Sequence, residues 1–167
     1  NRVKPHTDFA GDLESGLMKM LLIGLGKHDG AKIYHRAIHD YSFAQIVRSV
    51  AARVLESCRI AAGLGIVENG YDETAVIKAI APGELEAREK DLLVMAKQLL
   101  PRLPFDRIHV LVIDEIGKNI SGAGMDTNVV GRKFNDHVAA ENEWPKIKRI
   151  IIRDLTEATH GNACGIG

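Results

Sequence analysis

Apolar residues recur along this chain in distinct rhythms, and each rhythm predicts a different element. Phe43, Ile46, Val47, Val50, Val54, Leu55 and Cys58 follow the three-and-four spacing that gives a helix one oily face. Ser42 and Gln45 form a capping box at its start, and Gly63 closes the region. Glu84–Leu100 repeats the amphipathic rhythm until Pro101 stops it, with Lys97 expected on the outer face. Leu13 to about Gly24 reads as a further helix ended by Gly24 and Gly26, and a short one around Gly30–His39 carries histidines. Strand-length runs differ in kind. Leu64–Glu68 and Thr74–Ile80 flank a turn at Asn69-Gly70, lengthened by Tyr71 and Asp72, and predict a hairpin. Ile108–Ile113 and Lys148–Arg153 are almost continuously apolar, as parallel strands covered on both faces are.

Helices and strands alternate, so the expected class is α/β, with mostly parallel buried strands. Residues 1–100 and 101–167 read as two regions. The chain opens at Asn1 without a methionine and stops in the loop-like Thr159–Gly167, so we expect an excerpt of a larger two-domain α/β protein.

Lys+Arg 22 balances Asp+Glu 22, which gives no basic surface for nucleic acid or an anionic membrane. No apolar run is long enough to span a bilayer. Cys58 and Cys164 are too far apart in sequence for a metal-type pair and fit a reducing compartment, so a cytoplasmic location is expected.

Candidate chemistry concentrates early in the chain. Lys19 is the only charge among the eleven residues Gly16–Gly26, with no carboxylate at helical spacing to pair with it. Two readings stand side by side: a desolvated, nucleophilic amine, or a lysine lying along apolar surface with Asp8 or Asp12 as tertiary partner. His6 follows Pro5, which favours presentation of the ring from a fixed loop. The alternative is a loop histidine bonded to backbone. His35 and His39 are four apart, a metal-ligand spacing that also arises by chance on a solvated helix. After the Ile108–Ile113 strand, Gly117–Gly124 has the composition of an anion-cradling loop but lacks the Lys-Ser/Thr ending of a nucleotide loop. Asp126 and Asn128 follow, with turn and capping chemistry as their ordinary use. Gly161–Gly167 has anion-loop composition too.

The segment Lys4–His35 resembles the core motif of the nickel-dependent lactate racemase family. Pro5-His6 matches its first element and Gly16-Leu17-Met18-Lys19 its second. Gly24 stands five beyond the lysine, and Tyr34-His35 ends sixteen beyond it. Ile108–Ile113 with Asp126-Thr127-Asn128 is similar to a stretch of the family's second domain. Gly131-Arg132-Lys133 lacks the glutamine that follows there.

The resemblance implies an isomerase that racemises or epimerises a small 2-hydroxy acid by hydride transfer. It implies a nickel-pincer nucleotide (a pyridinium dithiocarboxylate mononucleotide) tethered to Lys19, with Lys4 and Gly16 beside it and His35 binding nickel. His6 would be one of two acid/bases. The second histidine and a carboxylate-binding arginine would lie upstream of Asn1. Asn128, Arg132 and Lys133 would be substrate contacts. Two alternatives stay open: an inactive small-molecule or anion-binding paralogue of the same fold, and a metal-dependent hydrolase or lyase built on His35, His39 and Asp40.

Overall fold

The computed structural model describes residues 1–135 and 137–162 and has the mixed α/β character expected. Cys164 and most of Gly161–Gly167 lie outside the described residues. The chain forms two compact units, one of Asn1–His6 with Ala10–Leu100, the other of Thr7–Phe9 with the residues from Pro101 onward.

In the N-terminal unit, Gly63–Glu68 (β1) and Thr74–Ile80 (β2) pair antiparallel. Asn69 closes their turn, its Oδ1 accepting from the Tyr71 and Glu73 amides at 2.9 and 3.1 Å. The first residues run beside β1, where Val3 N–H donates to Ile66 O and Ile66 N–H donates to Asn1 O. Phe43–Ser57 (α3) begins at the predicted capping box, in which Gln45 N–H donates to Ser42 Oγ and Ser42 N–H donates to Gln45 Oε1. Leu85–Leu99 (α4) buries Leu85, Leu92, Leu93 and Ala96. These meet Val3, Leu13, Leu17, Leu21, Leu22, Ile46, Val47 and Val67 in the core. Each such aliphatic side chain stabilises by about 1.5–3 kcal/mol when fully removed from water.

One predicted helix is replaced by something more broken. Leu13–Ser15 is not helical, because Ser15 exchanges backbone hydrogen bonds with Lys4 and Glu14 turns into the core. Helix begins only at Leu17–Lys19 (α1), widens to a π-helical turn over Met20–Gly24, and resumes as Leu25–Ala37 (α2). Gly24 therefore does not end it. The break comes at Lys27, with φ 45° and ψ −129°. Gly30 then packs so near the Leu22 carbonyl that a Cβ would sit 2.5 Å from its oxygen.

The C-terminal unit holds Arg107–Ile116 (β3) and Lys146–Leu155 (β4), paired parallel from Arg107↔Lys146 to Ile116↔Leu155. The connection between them contains one helical turn, Thr127–Val130 (α5), capped by Asp126. The expected parallel pairing of strands is found in this sheet, whereas the other sheet is antiparallel. Nor are these strands buried as their composition suggests, since Val110, Val112 and Ile151 are 47%, 58% and 51% exposed. Two strands and a single helical turn cannot cover both faces of a parallel pair. No helix among the described residues is long and apolar enough to cross a membrane.

Candidate functional site

The antiparallel bridge between Lys4 and Ser15 sets the geometry of the early segment. Lys4 N–H donates to Ser15 O at 2.9 Å, and Ser15 N–H returns the bond to Lys4 O at 3.3 Å. Because the bridge is antiparallel, Pro5-His6 runs back beside Glu14, whereas Gly16–Lys19 leaves in the opposite direction and Asn1 Nδ2 donates to Gly16 O at 2.9 Å. Lys4 itself is exposed; its backbone makes the connection.

Glu14 governs the excursion that the bridge closes. Its side chain is fully buried, and its oxygens accept from His6 N–H at 2.5 Å and Gly11 N–H at 3.0 Å. Lys97 pairs with it at 2.6 Å. Lys97 therefore holds a buried partner from α4 and is no bystander on an outer face.

The half-buried His6 ring lies 6.4 Å from Phe43, Phe43 lies 5.8 Å from Tyr34, and Tyr34 lies 5.4 Å from His35, centroid to centroid. The last two contacts are edge-on, the arrangement aromatic quadrupoles prefer. Two rings thus separate the two imidazoles, with His35 at the exposed end.

Lys19 closes α1 and is half-buried. Its turn is held from beneath by Glu89 of α4, whose carboxylate accepts from Met18 N–H at 2.8 Å. Gly16 fits only because it lacks a side chain, for a Cβ there would stand 2.5 Å from the Glu89 carboxyl carbon. Glu89 is 1% exposed and its Oε1 has no hydrogen-bond partner among the described residues. Burial pushes its pKa up to about 7, against the opposing pull of the Met18 and Leu17 amides. Met20–Gly24, directly after Lys19, is π-helical; such turns are frequent at functional sites.

Asp12 is committed elsewhere. It pairs with Arg48 at 2.6 Å and Lys90 at 3.0 Å, and those two cations also hold Glu86. Hydrogen bonding to Lys90, with Arg48 assisting, keeps the Asp12 carboxyl below its ordinary range. His35 and His39 gain no further ligand: no cluster of three His, Cys, Asp or Glu side chains suited to a metal occurs among the described residues.

The other candidates belong to the C-terminal unit. Arg132 is buried, donating to the carbonyls of Gly131 and Ile147, and desolvation lowers its pKa. Its guanidinium thus ties the backbone of its own loop to that of β4. Asn128 donates through its side chain and its main-chain N–H to Asp126 Oδ1. Lys133 N–H donates to Glu143 at 2.6 Å. Gly117–Gly124 folds onto itself: the Gly117, Ile120, Ser121 and Gly124 amides all donate to carbonyls within the loop. Those four are therefore not offered to an anion.

The pattern readings passed over Glu14 and Glu89, and took Phe43 only as an apolar position of a helix. Glu89 had a local signal, as a carboxylate within the stripe Leu85, Leu92, Leu93 and Ala96. Glu14 had none, because its partners come from a loop and a distant helix. Compared with family models, curated proteins and solved structures, the chain matches none.

Proposed function

We propose that this chain is part of an isomerase that racemises or epimerises a 2-hydroxy acid, of the kind that resembles nickel-dependent lactate racemases. The observation that carries the reading is the Lys4–Ser15 bridge. His6 and the Gly16–Lys19 turn leave it in opposite directions, two and one residues from the paired Lys4 and Ser15, while Phe43 and Tyr34 link His6 to His35. Amine and imidazole, the residue types the tethered group requires, thus lie within four residues of one backbone bridge.

The donor set suits that group. His35 is an exposed imidazole that belongs to no metal-sized cluster of His, Cys, Asp or Glu among the described residues. It would serve as a single protein ligand to nickel whose softer donors belong to the nucleotide. Lys19, half-buried on a turn fixed by Glu89, would hold the nucleotide through its amine. The backbone of Lys4 and the bare Cα of Gly16 border that turn. The chemistry such a group supplies when bound is reversible uptake of hydride from the substrate carbon.

The remaining work falls to this chain's own side chains. His6 takes the hydroxyl proton as the carbon is oxidised and returns it on reversal; histidine suits exchange near neutral pH, and a placed acid/base contributes about 10²–10⁴-fold in rate. Its amide is fixed by Glu14, and its ring leans on Phe43. A cytoplasmic setting agrees with Cys58, an exposed free thiol. Arg132 takes no part in the proposal because its guanidinium is bound to main-chain carbonyls.

The test is the mass and metal content of protein purified from its native host, wild type against Lys19→Ala. We expect a covalent adduct on the Lys19 peptide together with nickel in the wild type, and neither in the variant. Full metal loading and turnover in Lys19→Ala would end the proposal.

A further inference from the structure

We infer that Glu14 and Lys97 are a positioning pair that aims His6, a role for two residues that are not among the matched positions of the racemase-like motif; the inference rests on the reading of His6 as the acid/base. One carboxylate grips both ends of the segment His6–Gly11. Oε2 accepts the His6 amide at 2.5 Å, and Oε1 accepts the Gly11 amide at 3.0 Å. Lys97 adds its ammonium to Oε1 at 2.6 Å and donates to Gly11 O at 3.3 Å. The Glu14 side chain has no exposed surface, whereas that of Lys97 is 39% exposed.

This asymmetry separates the two roles. A buried carboxylate is tolerated when a cation and enough donors compensate it, and becomes costly when the cation is withdrawn. Lys97 is the reachable member, so replacing it opens no cavity yet withdraws the ammonium held at 2.6 Å. Glu14 then draws water or shifts, and its grip on the His6 amide loosens. The imidazole is carried by that backbone and rests against Phe43. A displacement of the amide therefore moves the ring relative to the Gly16–Lys19 turn. Neither residue touches the reacting atoms. They act through His6, and a misplacement of about 1 Å can cost about 10²-fold.

The experiment compares Lys97→Met, Lys97→Gln and Lys97→Arg in the whole chain. Amide and ring resonances of His6, and ring-to-ring magnetisation transfer between His6 and Phe43, are read by NMR. Met is expected to move the His6 amide resonance and weaken its transfer to Phe43. Gln, a neutral donor, should give a smaller change, and Arg should restore the wild-type pattern. In loaded enzyme, Met should lower kcat about tenfold with KM unchanged and the Lys19 adduct intact.

His6 resonances identical to wild type in the Met variant overturn the inference. Loss of helical structure in both Met and Gln variants overturns it as well, because the pair would then hold the unit together and not the loop. Absence of adduct and turnover in the wild type sinks the racemase reading instead, while the His6 resonances still decide the positioning claim.

Discussion

Replacing Glu89 by glutamine should abolish one specific component of the pH dependence of stability. Glu89 is 1% exposed, and burial raises its pKa from 4.5 to about 7. The folded state therefore holds a proton that the unfolded chain gives up above pH 4.5. Where the folded state binds more protons, stability falls as pH rises, so the loss runs from about pH 4.5 to about 7 and then levels off. A shift from 4.5 to about 7 is worth about 3 kcal/mol at roughly 1.4 kcal/mol per unit. Glutamine keeps a carbonyl for the Met18 and Leu17 amides but never ionises. Its amide group takes the place of an oxygen that lacks a partner among the described residues, which costs about 1–3 kcal/mol at every pH. Urea unfolding of both proteins between about pH 4 and 8, followed by helical circular dichroism, reads this directly. Nearly all described helix lies in the N-terminal unit, so the signal reports the unit that holds Glu89. Wild type should be the more stable protein at the acid end and lose about 3 kcal/mol relative to the variant by the alkaline end. Parallel profiles, offset by a constant, would refute the account of Glu89 as a buried carboxyl protonated in the fold.

Gly16→Ala should destabilise by about 1–3 kcal/mol, because its Cβ would stand 2.5 Å from the Glu89 carboxyl. The same substitution in a Glu89→Ala background should cost much less, and additive costs in thermal unfolding would exclude a direct clash. Ser42→Ala removes the acceptor for the Gln45 amide and should cost about 1 kcal/mol of N-terminal-unit stability. An unchanged urea midpoint would show that the capping box contributes nothing.

Where the sequence could be read, its signals were local. Ser42 and Gln45 are three apart and satisfy one another, so the start of α3 was visible without any tertiary partner. The turn at Asn69-Gly70 is likewise self-contained, with Asn69 bonding Tyr71 and Glu73. The periodic leucines of α4 and the apolar runs of β3 and β4 marked elements within a few residues of their true ends. Leu13–Gly24 failed for the opposite reason. Its apolar spacing suits a helix, yet Ser15 pairs with Lys4 and the Leu17 and Met18 amides meet a carboxylate from α4. The half-exposed β3 and β4 show the same limit in the other unit, since composition sets how apolar a strand is but not what covers it.

Of the candidate site, sequence alone singled out Lys19, His6 and His35, because an isolated charge in an apolar run and histidines at fixed spacing are properties of the chain's order. What surrounds them belongs to the fold. The bridge from Lys4 to Ser15, the pairing of Glu14 with Lys97 and the insertion of Glu89 beneath Gly16 join residues far apart in the chain. Hydrogen bonds and ion pairs act over about 3 Å, and only packing brings groups so distant in sequence that close. Local order chose the side chains, and three-dimensional packing chose the carboxylates that hold the backbone at His6 and before Lys19.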